Sequence, residues 1–212
     1  MNAPSRDRLE LAAAVLLALA AVATAWSSYQ ATRWNGEQAK TASRVNKVRV
    51  EAARADGLAR SQTQIDIATF IQWVDAYAQD KTELANFYRT RFRPEFKPAF
   101  AAWVASRPLR TPGAAPTPFA LPQYRLAAAA DAARLDADEE VLAAEVRRDI
   151  QRASNYVLGV VLCAVALFFA GISTKLTAPG LRIAMLALGW LVFAGAVVWI
   201  AASPVSFGIS SA

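Results

Sequence analysis

The sequence contains no histidine and only one cysteine among its 212 residues. Without histidine, the chain lacks the side chain that most often performs acid–base chemistry near neutral pH and that most often binds zinc. A single cysteine excludes an internal disulfide and any site built from paired thiolates. Glycine-rich phosphate-binding motifs are also absent. The sequence therefore predicts no catalytic residues, no metal site and no cofactor, and we expect a protein that is not an enzyme.

Charged residues are missing from three long stretches, each rich in Leu, Ala, Val and Phe. These stretches are residues 11–32, 153–174 and 183–202. A helix of about 20 apolar residues crosses the hydrocarbon core of a bilayer, and a chain of this length cannot bury three such helices in a soluble core. The sequence therefore predicts an all-α integral membrane protein with three transmembrane helices. The predicted helices are 9–32, 156–174 and 183–202, with short tails at 1–8 and 203–212.

The first apolar stretch has a second interpretation as a cleaved signal peptide. Arg6 and Arg8 precede it, and a small-x-small pattern occurs at 23–25. However, Asp7 and Glu10 interrupt the basic start, and the apolar run is long for a signal peptide. These features favour an uncleaved anchor.

The segment between the first two spans, residues 33–155, carries 19 of the 23 basic and 15 of the 17 acidic residues. Apolar residues recur there at helical spacing from Ile67 to Tyr88, and Pro94 is expected to end or kink that helix. A proline-rich stretch at 107–122 predicts a loop, and helix formers follow it without a stop signal into the second span. We therefore expect an extramembrane helical hairpin that resembles a coiled coil.

Opposite charge favours pairing between the two helical extensions of this segment. Residues 31–60 have a net charge of +4, and residues 131–149 have a net charge of −4. Exposed ion pairs stabilise weakly, but like charges disfavour wrong partners. Solvated helix faces, or pairing between subunits, are alternative interpretations. The residues expected to pair are Arg44, Lys47, Glu139 and Glu140.

Cations alternate with aromatic residues between positions 87 and 97, and such a cluster can bind phosphates or anionic lipid headgroups. The alternative is that the aromatic rings form a core while the cations reach solvent. The cations are Arg89, Arg91, Arg93 and Lys97. Carboxylates near this region are interpreted as a solvated helix face; they are Asp66, Asp75, Asp80 and Glu83.

Four stretches of the sequence resemble a family of bacterial membrane proteins of about this length, to which no activity is assigned. The stretches are WSSYQATRWNGEQA, QTQIDIATFIQWVDAYAQD, FYRTRFRPEFKPAF and RASNYVLGVVLCAVALFFAGISTKL. The resemblance covers nearly the whole chain and implies a multi-pass protein of the bacterial inner membrane. It implies no activity, cofactor or residue role.

The positive-inside rule predicts a cytoplasmic location for the large domain, because eight basic residues flank the spans on its side and four lie on the opposite side. Apolar surface left by three spans and an amphipathic domain predicts a homo-oligomer. We expect membrane lipids and an unknown protein as partners, and no nucleic acid. The favoured function is a self-associating scaffold or partner-docking protein; the alternative is a pore or gated channel built from a homo-oligomer.

Overall fold

The structure is a computed structural model that describes residues 3–108 and 110–206, so the outermost residues of both predicted tails lie outside the described part. Every regular element in this part is helical, which confirms the all-α class. The helices are α1 (Ala3–Ala78), α2 (Thr82–Arg91), α3 (Lys97–Ala105), α4 (Ala127–Lys175) and α5 (Pro179–Ala201), with a 3₁₀ turn at Pro118–Ala120.

Three of these helices, α1, α4 and α5, are long and apolar enough to cross a membrane. The predicted first span continues past Trp34 into the charged segment, as expected for its helical extension: α1 starts at Ala3 and runs through both without interruption for 76 residues. Residues that were expected in the amino-terminal tail are therefore helical from Ala3 on. The second span is likewise the last part of α4, as the absence of a stop signal predicts.

Helix α1 ends at Ala78, not at Pro94 as the apolar spacing predicts. Asp80 adopts a φ of 57°, the left-handed conformation that commonly terminates helices. The backbone N–H of Lys81 donates to the carbonyl of Ala76 across this turn, at 3.0 Å. Asp tolerates the left-handed region better than most residues, so the helix can end here without a glycine or a proline. A separate helix, α2, then follows.

The chain divides into two compact units, of which the first comprises the residues up to Arg44 and those from Leu142 onwards. We call it the apolar unit. Its core contains small and large apolar side chains from α1, α4 and α5, including Leu16, Ala166 and Phe193. A Cβ added to Gly189 would lie 3.1 Å from Leu16 Cδ2, so glycine permits this close approach of α5 to α1.

The second unit, which we call the charged unit, comprises Val45–Val141. Within it, α1 and α4 run in opposite directions, because Asp66 contacts Tyr124, which lies just before α4, while Arg49 contacts Glu139 within α4. Small side chains permit this packing, since Ala59 of α1 forms a buried cluster with Leu126 and Ala128. Helices α2 and α3 and the loop after α3 complete the unit.

Candidate functional site

A buried carboxylate connects three segments of the charged unit. Asp66 of α1 is fully buried, and its Oδ2 accepts hydrogen bonds from Arg93 Nη1 at 2.9 Å and from the Tyr124 hydroxyl at 3.1 Å. Arg93 also pairs with Glu95. The other oxygen of Glu95, Oε1, accepts from the backbone N–H of Ala127 at 3.1 Å and so caps the start of α4. We call Asp66, Arg93, Glu95 and Tyr124 the polar clasp, because they join α1, the α2–α3 connection and α4.

Burial raises the pKa of Asp66 above its ordinary value of 3.8, while the hydrogen bond from Tyr124 and the charge of Arg93 oppose that rise. The second oxygen of the same carboxylate, Oδ1, is buried without a hydrogen-bond partner among the described residues. Burial also raises the pKa of Tyr124 above 10.0, so its hydroxyl remains a hydrogen donor. Arg93 and Tyr124 both hydrogen-bond to Asp66, and these bonds join separate segments of the chain.

The prediction that Asp66 belongs to a solvated helix face is wrong. Asp66 precedes Phe70 by four residues and Trp73 by seven, so all three side chains lie on one face of α1. That face packs against the rest of the unit, and the carboxylate is buried with it. The alignment of one carboxylate with two large aromatic residues is the sequence signal that could have identified the clasp.

An aromatic cluster surrounds Phe70 next to the clasp. Four rings meet Phe70 edge to face, with centroid distances of 5.3 Å to Trp103, 5.7 Å to Phe119, 6.2 Å to Phe96 and 6.4 Å to Phe100. Edge-to-face contacts at these distances are favourable beyond the burial of their area. The cluster therefore fixes α1, α3 and the 3₁₀ turn relative to one another within the charged unit.

A recess opens at the edge of this cluster. It has a volume of about 390 Å³, and we call it the aromatic recess. Its walls are largely apolar, and two arginines are the charged groups among the described residues that line it. The lining residues are Trp73, Val74, Tyr77, Trp103, Val104, Arg107, Pro108 and Arg110.

One side of α1 in the charged unit exposes large apolar residues. Val50, Leu58, Ile65 and Ile71 are 50–57% exposed, and their spacing places them on one broad face. Gly57 lies among them, and a Cβ added there would meet nothing within 4 Å. We call these five residues the outer face of α1. Single exposed apolar side chains are ordinary, but several large ones on the same face of one helix are typical of an interaction surface.

The predicted helix-pairing residues do not all take part in one contact. Glu139 pairs with Arg49, with an Nη2–Oε1 distance of 2.6 Å, although Arg49 was not among the predicted residues. Lys47 and Glu140 are exposed in the same unit, without an ion pair to any described residue. Arg44 is exposed in the apolar unit. Because the Arg49 side chain is 62% exposed, the observed pair contributes little stability.

The predicted cationic patch is divided between different surroundings. Arg93 turns inward to the clasp, and the Arg91 guanidinium lies 3.6 Å above the ring centroid of Phe87. Arg89 lines a second recess of about 260 Å³ that also contains Asp80. Lys97 is exposed at the start of α3. The structure therefore does not bring the four cations together around one anion.

Polar side chains also lie inside the apolar unit. Ser27 and Gln30 of α1 are fully buried, and Gln30 Oε1 accepts from the backbone N–H of Ser206 at 3.0 Å. Nearby, the Tyr156 hydroxyl and the Trp34 indole N–H donate to the carbonyl of Pro204 at 3.1 and 3.2 Å. Three side chains thus hold the segment that follows α5. The absence of charge in this span does not indicate the role of Gln30, because an uncharged amide is compatible with a membrane-crossing helix.

Sequence and structure comparisons add no relative: no protein-family model, no curated protein and no solved structure matches the chain.

Proposed function

We propose that this chain is a non-enzymatic membrane protein of the scaffold type, which self-associates through the outer face of α1. The observation that carries the proposal is the set of four half-exposed apolar residues that share one face of α1 with Gly57. In the interior of a helix, glycine destabilises the helix by about 0.5–1 kcal/mol relative to alanine. The contacts within the described chain give no reason for glycine at this position, whereas close approach of a second helix does.

A second copy of the chain is the occupant that best fits this face. Copies anchored in one membrane share an orientation, so the same face can meet itself around a two-fold axis. Arg54 lies within this face, between Val50 and Leu58, and Glu51 lies at its edge. Both are exposed with opposite charges, and neither pairs with a described residue, so they can pair between copies. We further propose that α1 and α4 pack as a coiled-coil-like hairpin that supports this surface.

The magnitudes are compatible with association. Burying the exposed half of one such side chain contributes about 1 kcal/mol, so two copies with four residues each gain about 8 kcal/mol. Association in solution costs about 4–15 kcal/mol, and confinement of both copies to one membrane reduces that cost. A dimer or small oligomer is therefore the expected state in the bilayer.

The experiment is a mass measurement of the full chain in neutral detergent by light scattering and native mass spectrometry. We expect an oligomer for the wild type, and a shift towards monomer for Leu58→Glu, Ile65→Glu and Gly57→Leu. Val141→Glu is the matched control, because Val141 is 66% exposed on α4 away from this face. A monomeric wild type, or an oligomer that the three substitutions leave unchanged, would overturn the proposal.

The alternative function, a pore built from a homo-oligomer, has weaker support. Two of the hydroxyl residues that could line such a pore, Ser27 and Ser173, are fully buried in the chain's own helix packing. Ser173 donates to the carbonyl of Ala170 at 2.6 Å, which satisfies its hydroxyl locally. Ion-flux measurements in liposomes separate the two functions: selective conductance by the wild type would replace the scaffold with a channel.

We also propose that the chain lies in the bacterial inner membrane with its charged unit in the cytoplasm, which rests on the distribution of basic residues. The native Cys163 is buried within α4, so an introduced cysteine can report the side of the membrane. Arg125→Cys should react with a membrane-impermeant maleimide only after the cells are lysed. Labelling in intact spheroplasts would reverse the proposed orientation.

A further inference from the structure

We propose that the aromatic recess of the charged unit binds an acidic segment of a partner protein. An apolar side chain of that segment would enter the recess, and its neighbouring carboxylates would pair with Arg107 and Arg110. The recess shares no residue with the outer face of α1. The inference therefore goes beyond self-association and does not depend on it.

The walls of the recess are held in place before any partner binds. The Trp103 indole N–H donates to the carbonyl of Ala115 at 2.9 Å, and its ring meets Phe70 edge to face. Trp73 stacks on Tyr77 with a centroid distance of 5.2 Å and an interplanar angle of 17°. Little side-chain freedom remains to be lost on binding, which favours affinity.

The charge at the rim selects the sign of the partner. Arg107 and Arg110 are both exposed, and neither guanidinium has an ion pair with a described residue. Described lining residues include no carboxylate that could neutralise them. Arginine beside tryptophan and tyrosine is the combination most enriched among residues that dominate protein interfaces. An acidic sequence with an apolar anchor complements both the charge and the walls.

The backbone at Arg107 gives further support. Arg107 follows α3 with a φ of 52°, a left-handed backbone conformation that glycine adopts at lower energetic cost than arginine. Its N–H donates to the carbonyl of Val104 at 3.1 Å, so the residue ends the helix in the position that glycine commonly occupies. Residues held in such conformations cluster at binding sites. Binding of a partner by the Arg107 side chain would offset this backbone cost.

The shape of the surface favours a peptide over a lipid. A second recess of about 260 Å³, whose charged lining residues are Arg89 and Asp80, shares Trp73, Tyr77 and Val104 with the first. The two recesses are therefore adjacent, an extended or helical segment can contact both, and together we call them the groove. Each recess has room for a few apolar side chains but is small for the two acyl chains of a membrane lipid. We therefore assign the groove to a protein segment.

The test is selection from a random-peptide display library against the full chain in nanodiscs of zwitterionic lipid. We expect the selected peptides to combine aromatic or branched apolar residues with neighbouring Asp or Glu. The affinity of the synthesised peptides should fall at least about tenfold for the double substitution Arg107→Glu and Arg110→Glu, and should also weaken as salt is raised. Arg134→Glu, an exposed arginine on α4, is the matched control and should leave binding unchanged.

Arg107→Gly keeps the test decisive if charge reversal disturbs the fold. This substitution should raise the unfolding midpoint, because it relieves the backbone, and yet weaken peptide binding. The subunit number should remain that of the wild type in every variant, which separates this inference from self-association. The inference is overturned if selection yields no peptide, if the peptides lack acidic residues, or if the double substitution leaves their binding unchanged. Arginine-dependent binding to vesicles that contain phosphatidylglycerol, without peptide binding, would overturn it in favour of lipid.

Discussion

Substitution of Arg93 by methionine tests the energetics of the polar clasp. The fully buried Asp66 would keep the Tyr124 hydroxyl as its one described partner. Removing one member of a buried ion pair costs about 3–5 kcal/mol, but the Arg93 side chain is 22% exposed and its charge is partly screened. We therefore expect Arg93→Met to lower the free energy of unfolding by about 2–3 kcal/mol near neutral pH. The double variant Asp66→Asn/Arg93→Met has no buried charge and should lose only about 1 kcal/mol.

The loss of free energy of unfolding caused by Arg93→Met should depend on pH, and the direction of this dependence follows from the pKa of Asp66. Because burial raises the native pKa of Asp66 above 3.8, ionisation of this group opposes folding. The penalty is absent below pH 3.8 and grows as the pH rises through the native pKa. Arg93 lowers that pKa, so its removal raises it further and enlarges the penalty at neutral pH. The deficit of Arg93→Met should therefore shrink as the pH falls, and it should depend much less on pH when residue 66 is Asn, because Glu95 is then the carboxylate that still pairs with Arg93.

The measurement is urea unfolding of the full chain in neutral detergent, followed by near-ultraviolet circular dichroism, to which Trp73 and Trp103 in the aromatic cluster contribute. Arg91→Met is the matched control, because Arg91 is exposed and stacks on Phe87 without a buried partner. It should cost at most about 1 kcal/mol. An equal deficit for Arg93→Met at acidic and neutral pH, or a double variant no more stable than the single one, would refute this account of the clasp.

Three further predictions concern single contacts. Gly159→Leu should destabilise the apolar unit by about 1–3 kcal/mol in SDS denaturation, because a Cβ there lies 3.0 Å from Ile200 Cγ1. The control Gly195→Leu should have little effect in the same assay, because a Cβ at that position meets nothing within 4 Å. Glu95→Ala should cost about 1 kcal/mol in urea unfolding, since it removes the cap of α4 at Ala127, and Lys97→Ala should be close to neutral. Tyr156→Phe should speed hydrogen exchange at the amides of residues 205 and 206, because the hydrogen bond to the carbonyl of Pro204 is lost, while Tyr29→Phe, an exposed control, should not.

Much of the architecture follows from composition. Three uncharged stretches of the right length predict three membrane-crossing helices because the bilayer core has a fixed thickness. The continuation of α4 from the charged unit into the second span follows from the absence of glycine and proline between 127 and 158. The end of α1 could not be predicted in this way, because Asp80 adopts a left-handed conformation that sequence patterns rarely reveal.

The candidate sites were harder to predict because they depend on contacts between distant residues. Helical spacing places Ile67, Phe70, Ile71 and Val74 on one apolar stripe, but the structure buries Phe70 and leaves the other three exposed. The packed face is centred instead on Asp66, Phe70 and Trp73. Its position depends on where α3 and the loop after it pack against α1. Likewise, an alternation of cations and aromatic rings does not reveal that Arg93 turns inward, since that depends on the location of Asp66.

The polar clasp also bears on how the protein is synthesised. Asp66 and Tyr124 are separated by 58 positions in the chain, and the amide that Glu95 caps belongs to Ala127. A nascent polypeptide that ends shortly after α3 lacks both groups, so its buried carboxylate has Arg93 alone to compensate it. Folding of this unit during translation therefore finishes late, once the proline-rich stretch and the first turn of α4 have left the ribosome. Ribosome-bound chains from which Tyr124 has not yet emerged should be cleaved readily by protease, and chains from which Ala132 has emerged should resist.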